Sequence, residues 1–300
     1  MQSCRKGGTP QPSKWLGPIT LSLILASTLR LAAAPLPAWT QPHPPFRIAG
    51  DLYYVGSKDL ASYLIVTPQG DILINSSLEA SVPLIRKSVE TLGFKFSDIK
   101  ILLISHAHYD HCAGSAKIKQ LTGAKYYVMD ADVSVVESGG KTDFNYGADP
   151  TMHFPSTHVD RVLHDGDKVT LGGSTLTAHL TPGHTKGTTT WTIDEIEGGR
   201  TLHAVIVGSP NVNPGYKLVG NRAYPRIVED YRRGFSVLRS LPCDLFLGAH
   251  GAYFGLADKY DHFEKGDHSA FIDPAGYKAY ISERELAFES QLRSQHGGRP

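Results

Sequence analysis

Four candidate metal ligands lie close together at positions 106, 108, 110 and 111, in a His-x-His-x-Asp-His pattern. The apolar run 101–104 stands directly before them and predicts a buried strand. Zinc binds imidazole nitrogen and carboxylate oxygen, and these ligands must converge on the ion. His106 and His108 share a face of extended backbone, whereas Asp110 and His111 come where the chain turns into a helix. The pattern therefore predicts a dinuclear metallohydrolase.

Two later histidines complete the predicted ligand set. Each follows an apolar strand, His184 in a Thr-Pro-Gly-His turn and His250 in a Gly-Ala-His segment. Two metal ions need more protein ligands than the first cluster supplies, so both histidines are assigned. We predict two zinc ions per chain. Their ligands are His106, His108 and His184 for the first ion, and Asp110, His111 and His250 for the second.

The elements that must position these ligands form two successive groups. Helical periodicity predicts helices from Ser77 to about 92, from about 113 to 121 and from 131 to 137 in the first group. It predicts helices over 224–241 and 276–295 in the second. Strands followed by helices, occurring twice, indicate two sheets packed face to face with helices outside. The predicted strands are 52–55, 63–66, 72–74, 99–104, 126–129, 168–171, 175–180, 188–193, 202–207 and 244–247.

One segment lacks periodicity. Residues 138–160 are rich in Gly, Pro and Asp and are long for a connection in a compact domain. The segment is interpreted as either a functional loop or a mobile one.

The N-terminal residues have the order of a secretory signal peptide. Arg5, Lys6 and Lys14 precede an apolar run over 15–29, and Leu31 with the small residues Ala32, Ala33 and Ala34 ends it. We expect residues 1–34 to be removed on export to the periplasm, residues 35–45 to form an extended Pro-rich segment, and residues 46–300 to form the folded domain.

The composition and net charge limit the classes of partner that the protein is expected to bind. The chain has 300 residues, 41% of them hydrophobic, and a net charge of +1, so it can bury a large core and shows no basic footprint for nucleic acid. We expect a monomer that acts on a small-molecule substrate and does not contact the membrane after signal cleavage. Cys4 leaves with the signal, and Cys112 and Cys243 are expected to be free thiols.

The ligand motifs resemble the metallo-β-lactamase superfamily. The resemblance rests on the 106–111 cluster, the turn 181–184 and the segment 248–250, and it extends over residues 46–295. It implies an α/β (α+β) fold, a four-layer αββα sandwich with the metals at one edge. Because the superfamily is catalytically broad, the fold alone does not give the substrate.

Ser209 narrows the choice of activity. Many superfamily hydrolases carry a metal-bridging Asp, in a Gly-Asp context, where this chain has Gly208 and Ser209. Other class B β-lactamases have a zinc-binding Cys there. Serine at this place, with segments 209–216 and 230–233, resembles the third subclass (B3). Some members of that subclass pair a cysteine at the position of Cys243 with a later one, which this chain lacks.

The hypothesis is zinc-dependent hydrolysis of penicillins, cephalosporins and carbapenems by a zinc-bound hydroxide. One carboxylate fewer leaves the site one unit more positive, which suits a substrate that carries a carboxylate. Asp110 would orient the nucleophile. Ser209 is a candidate to hydrogen-bond either the water on the second zinc or the substrate carboxylate, and Asn211 is a candidate to bind that carboxylate. The alternatives are a lactonase or a glyoxalase II-like thioesterase on the same fold, and a di-iron oxidoreductase. The di-iron sites use more carboxylates than this set offers.

Overall fold

The computed structural model describes residues 38–297, and the predicted signal peptide, residues 1–34, lies outside the described residues. Within them the chain forms two sheets, and each strand of the first sheet pairs with the next one in the sequence. The first sheet comprises β1 (Phe46–Ala49), β2 (Leu52–Tyr54), β3 (Tyr63–Ile65), β4 (Asp71–Ile74), β5 (Ile99–Leu103), β6 (Lys125–Met129) and β7 (Arg161–Leu163). The second comprises β8 (Lys168–Leu171), β9 (Ser174–Leu180), β10 (Thr189–Glu197), β11 (Arg200–Val207) and β12 (Leu245–Gly248).

Helices cover the outer faces of both sheets. Ile85, Ile118 and Val136, one from each of three helices, pack with Leu73 and Leu102 of the first sheet. The helices are α1 (Val82–Thr91), α2 (Tyr109–Cys112), α3 (Ser115–Thr122), α4 (Val133–Glu137), α5 (Ile227–Ser240), α6 (Gly251–Phe254), α7 (Leu256–Glu264) and α8 (Pro274–Gly297). Helices α5 and α8 contact each other, and in the second sheet α5 contacts β9 and α8 contacts β12. This is the predicted αββα arrangement.

Side-chain alternation explains why the sheets face each other. In β4 the side chains of Ile72 and Ile74 join the core between the sheets, while Leu73 points to the outer helices. Strand β5 repeats the pattern, with Leu103 inward and Leu102 outward. Successive side chains of a strand point to opposite faces, and both faces of these central strands are covered, so the strands read as continuous apolar runs.

The functional loops meet at one edge of the sandwich. Strands β4, β5, β6 and β7 are parallel, so the segments that follow β4, β5 and β6 leave the first sheet at the same edge. In the second sheet β11 and β12 are parallel, and β9 runs the same way because both β9 and β11 are antiparallel to β10. Trp191 Nε1 donates to the Ile104 carbonyl at 3.0 Å, and Tyr63 Oη donates to the Gly248 carbonyl at 2.7 Å. These two bonds tie the sheets together at that edge.

Two helix predictions near this edge were wrong in detail. The predicted helix from Ser77 begins instead at Val82, because Ser77 has a left-handed φ of 54° and its carbonyl accepts from the Gly114 amide. The predicted helix over 113–121 is α3, which begins at Ser115 rather than at 113, and Gly114 separates it from the short helix α2. A Cβ at Gly114 would lie 2.5 Å from the Ser76 carbonyl oxygen, so this close approach requires glycine. The segment after β4 therefore supports the metal-ligand loop rather than capping a helix.

Several elements escaped prediction. Strands β1 and β7 are short, and helices α6 and α7 follow His250 without a strong periodic signal. Among the described residues, no helix is both long enough and apolar enough to cross a membrane. Cys112 and Cys243 are free thiols, as predicted.

A buried carboxyl group makes stability depend on pH. Burial raises the pKa of Glu195 to about 7, although its Oε2 accepts from the Asp51 amide at 3.0 Å. Since the folded pKa lies above the usual value of 4.5, the protonated form is favoured by folding. Its stabilising contribution is complete below about pH 4.5 and is lost as the pH rises through about 7.

Glu195→Gln should therefore stabilise the protein at pH 8 relative to wild type, by on the order of 1 kcal/mol, with little effect at pH 4.5. Urea unfolding at the two pH values measures the difference. A stability difference that does not change with pH would show that Glu195 ionises normally in the folded state.

Candidate metal centre

Three histidines from both sheets form the first ligand group. His106 and His108 follow β5, and His184 follows β9. Each offers one ring nitrogen, and the three nitrogen atoms lie within 4.8 Å of one another. The ring centroid of His184 lies 4.5 Å from that of His106 and 4.7 Å from that of His108. The structure therefore brings together the three residues predicted for the first ion.

In the second ligand group, Asp110, His111 and His250, the donor atoms lie closer together. His111 Nε2 lies 3.1 Å from His250 Nε2 and 3.2 Å from Asp110 Oδ2, and His250 Nε2 lies 3.4 Å from Asp110 Oδ2. Zinc with bonds of 2.0–2.1 Å in tetrahedral geometry places its ligand atoms roughly 3.3 Å apart. The three donor atoms thus have the spacing of one face of such a tetrahedron. A donor atom of His106 also lies within 4.8 Å of those of Asp110 and His111, so the two groups adjoin.

The donor atoms themselves fit zinc. Both ring nitrogens of His106 are buried without a hydrogen-bond partner in the described part of the chain. Unpaired buried polar atoms are costly, and a metal bond would satisfy the ligating nitrogen. Burial, together with the neighbouring histidines, lowers the pKa of His106 and of His184 well below the usual value. These imidazoles are therefore neutral, which is the form that binds a metal.

Two hydrogen bonds and one charge contact orient three of the candidate ligands. His184 Nδ1 donates to the Asn211 carbonyl at 2.8 Å, and His250 Nδ1 lies 3.0 Å from Asp59 Oδ2. Each bond leaves Nε2 free to face the centre. His108 Nε2 lies 3.6 Å from Asp143 Oδ2, which directs Nδ1 of that ring inward.

The ionisation of Asp110 and His250 is coupled. Burial raises the pKa of Asp110, but the electrostatic interaction with His111 and hydrogen bonds from His111 and His250 more than offset this effect and hold the pKa well below its usual range. Burial lowers the pKa of His250, but hydrogen bonds to Asp110 and Asp59 raise it to about 9. Without a metal His250 therefore carries a proton at neutral pH, and a metal that binds there must displace it.

Ser209 and Asn211 occupy the segment that follows β11. Ser209 is buried, and its Oγ lies 3.1 Å from Tyr253 Oη. Asn211 lines the cavity beside the histidines, while its carbonyl oxygen accepts from both His184 and Tyr231. Ser209 thus reaches the cavity through Tyr253, and Asn211 supports a metal ligand as well as facing the cavity.

An open cavity of about 380 Å³ lies over the ligands. Its walls include Trp39, Tyr109, Tyr146 and Tyr253. Tyr146 belongs to segment 138–160, and its ring lies 5.2 Å from that of His108. Segment 138–160 therefore lines the candidate site, in line with its interpretation as a functional loop. A larger cleft of about 900 Å³, beside Glu195, has no histidine among its lining residues, so the chemistry belongs to the smaller cavity.

Sequence reasoning missed Asp59, Asp143 and Trp39. Asp59 is the most connected of them: its carboxylate accepts from Trp39 Nε1, His250 Nδ1 and the Ala252 amide, each at 3.0 Å. No local motif marks it, because its partner His250 is far away in the sequence. Its carboxylate both orients His250 and anchors an aromatic wall of the cavity.

Asp59→Ala should weaken zinc binding by the Asp110, His111 and His250 group about 10–100-fold, because His250 loses the acceptor that orients it. Competition with a chromophoric chelator measures this affinity. Asp261→Ala, which removes an exposed carboxylate paired with Lys265, is the matched control and should bind zinc like wild type. Two zinc ions bound by Asp59→Ala with unchanged affinity would contradict the orienting role.

Comparisons with known proteins agree with this geometry. The profile of the metallo-β-lactamase superfamily matches residues 60–196. The FEZ-1 metallo-β-lactamase from Legionella gormanii is 59% identical, with 86% of this chain and 99% of that chain covered and a TM-score of 0.86. The chain therefore belongs to the metallo-β-lactamase superfamily, and it is a hydrolase with that superfamily's αββα fold. The predicted superfamily and fold are confirmed.

A second similar solved structure belongs to a named subclass of the metallo-β-lactamases. BJP-1 of Bradyrhizobium japonicum, a subclass B3 metallo-β-lactamase, is 36% identical, with 87% of this chain and 97% of that chain covered and a TM-score of 0.81. This similar structure is thus an enzyme of the subclass that Ser209 indicated.

Curated relatives are more distant. A hydroxyacylglutathione hydrolase of Hyphomonas neptunium is 35% identical over 131 residues, which are 43% of this chain and 41% of that protein. A probable metallo-hydrolase of Burkholderia pseudomallei is 30% identical over 120 residues, which are 39% of this chain and 40% of that protein. The chain spans less than half the length of these two relatives.

Proposed function

We propose that this protein hydrolyses the β-lactam ring of penicillins, cephalosporins and carbapenems with two zinc ions. The observation that carries the proposal is the donor set, five histidines and the single carboxylate of Asp110 at one sandwich edge. Ser209 stands after β11, where a bridging carboxylate would reduce the positive charge of the site. The similarity to FEZ-1 and BJP-1, which are metallo-β-lactamases, supports the same reaction.

The side chains would divide the work between the two ions. His106, His108 and His184 would hold the first zinc. Asp110, His111 and His250 would hold the second. Bound zinc supplies a Lewis acid and lowers the pKa of water to about 7, so that hydroxide is present at neutral pH.

Asp110 would act on the attacking water as well as on the metal. The pKa of the Asp110 carboxylate is lowered, so the group remains a hydrogen-bond acceptor at neutral pH. The carboxylate can therefore accept a hydrogen bond from that water and orient the water for attack. His111 and His250 both contact Oδ2 of this carboxylate, with their Nε2 atoms at 3.2 and 3.4 Å. No covalent enzyme intermediate is needed for this reaction.

The cavity walls would position the substrate. The Asn211 side chain and the Tyr253 hydroxyl, which Ser209 holds, would receive the substrate carboxylate. Trp39 and Tyr109 lie with ring centroids 6.1 Å apart and form an apolar wall that excludes water from one side. Asn211, Ser209 and Tyr253 are therefore the proposed substrate-binding residues.

A thioesterase is the second candidate, because the similarity to a hydroxyacylglutathione hydrolase is specific enough to test. The purified protein would be given nitrocefin, a carbapenem, a glutathione thioester and a simple lactone at equal concentrations. We expect kcat/KM for the β-lactams to exceed that for the thioester and the lactone by at least about 100-fold. The reverse order would assign the site to thioester or lactone hydrolysis.

The charge and apolar order of residues 1–34 supports export to the periplasm, which we propose as the place of action. N-terminal sequencing of protein recovered from the periplasm should then start near residue 35. Protein found only in the cytoplasm with residues 1–34 attached would contradict export.

A further inference from the structure

Asp132 is a buried carboxylate that touches the loops of both sheets. It follows β6 and is 1% exposed. Its Oδ2 accepts from the Ala107 amide at 2.9 Å and from Thr185 Oγ1 at 2.8 Å. Its Oδ1 accepts from the Gly187 amide at 2.9 Å. One side chain thus holds three donors from two separate segments.

These donors stand next to the histidines of the first ligand group. Ala107 lies between His106 and His108, and Thr185 directly follows His184. The first two histidines leave the first sheet and the third leaves the second sheet, so nothing local in the chain fixes their relative positions. Asp132 contacts the backbone of one segment and both a side chain and the backbone of the other.

The surroundings leave little freedom for Asp132. A Cβ at Gly187 would lie 2.6 Å from Asp132 Cγ and 2.7 Å from its Cβ, so glycine is required for this approach. Thr185 is also buried, and its Oγ1 lies 2.9 Å from Thr188 Oγ1, while the Thr185 amide donates to that same oxygen at 2.8 Å. The Asp132 carboxylate is therefore the acceptor at the centre of a closed network.

We propose that Asp132 is a positioning residue for the histidine-only metal group: it holds the His106–His108 segment against the His184 segment, so that the three nitrogens converge on one ion. Ionised Asp132 only accepts, and all of its observed partners donate. An asparagine there would present its amide N–H groups to one of those donors. The two segments would then separate or rotate, and the cost would fall on metal binding.

The inference rests on the proposed zinc function, and its test isolates one ligand group. Asp110→Ala removes the only carboxylate of the second group and should leave one metal site, at His106, His108 and His184. The affinity of this variant for Co²⁺ would be measured by chelator competition, and the geometry of the bound ion by the visible absorption spectrum of Co²⁺. Asp132→Asn would then be added to the Asp110→Ala variant.

We expect Asp132→Asn to weaken Co²⁺ binding about 10–100-fold and to change the intensity of the visible bands, while circular dichroism stays native. Asp71→Asn is the matched control. It changes another buried carboxylate, which accepts from the Thr67 amide at the opposite end of β4, and it should leave affinity and spectrum unchanged.

A milder pair of variants covers the case in which Asp132→Asn does not fold. Thr185→Val removes only the hydroxyl that donates to Asp132, and Thr185→Ser keeps it. The valine variant should bind Co²⁺ more weakly and the serine variant should restore binding. An unchanged affinity and spectrum in Asp132→Asn, or in Thr185→Val where the former does not fold, would overturn the inference. Failure of Asp110→Ala itself to bind one ion would instead reject the proposed ligand assignment.

Discussion

Asp110→Ala is expected to lower kcat/KM for β-lactams by about three orders of magnitude or more and to leave one zinc ion per chain. The carboxylate has two proposed tasks, since it ligates the second zinc with His111 and His250 and orients the attacking water. Loss of a metal ion as Lewis acid removes several kcal/mol of transition-state stabilisation, and each 1.4 kcal/mol is tenfold in rate. Steady-state kinetics with nitrocefin and zinc analysis after dialysis provide the two measurements.

Asp110→Asn is the matched comparison, because it keeps the shape of the side chain and replaces the carboxylate with a weaker, neutral ligand. Its activity should fall between those of wild type and Asp110→Ala. Wild-type activity in Asp110→Ala, with two zinc ions still bound, would refute both tasks assigned to this residue.

His184→Ala is expected to have a comparable effect on activity through the other ligand group. His184 is buried, and its Nδ1 is committed to the Asn211 carbonyl, so the variant loses a preoriented ligand and leaves His106 and His108 alone. Two histidines hold zinc poorly, and we expect one ion to remain, bound by Asp110, His111 and His250. Activity should again fall by about three orders of magnitude.

His158→Ala controls for the loss of a histidine as such. The His158 side chain is 79% exposed and pairs with Glu137 at the surface, so this variant should keep two zinc ions and full activity. Zinc analysis and nitrocefin kinetics again provide the readout. If His184→Ala retained two tightly bound zinc ions, the assignment of His184 to the first ion would be wrong.

The candidate ligands could be picked out from the sequence because each signal is local, and the structure brings them together. His106, His108, Asp110 and His111 stand together after an apolar run, and His250 follows a strand of its own. A strand end directs such residues to a sheet edge whatever the rest of the fold does. The two-sheet architecture followed from the same alternation of strands and helices.

The residues that hold those ligands could not be predicted, because their partners are distant in the sequence. Asp59, Asp132 and Asp143 read as ordinary loop or turn acids, and only the packed structure places them against the ligand loops or their histidines. The prediction that a helix starts at Ser77 was wrong for a related reason. Tertiary hydrogen bonds to the metal loop overrode its local capping preference.

The most direct test of the account is carbapenem hydrolysis by the purified mature protein, followed by ultraviolet absorbance before and after removal of metal with a chelator. We expect rapid hydrolysis with two zinc ions bound, loss of activity with the chelator, and recovery when zinc is restored. Absence of hydrolysis by the zinc-loaded protein, or hydrolysis that persists after both ions have been removed, would contradict it.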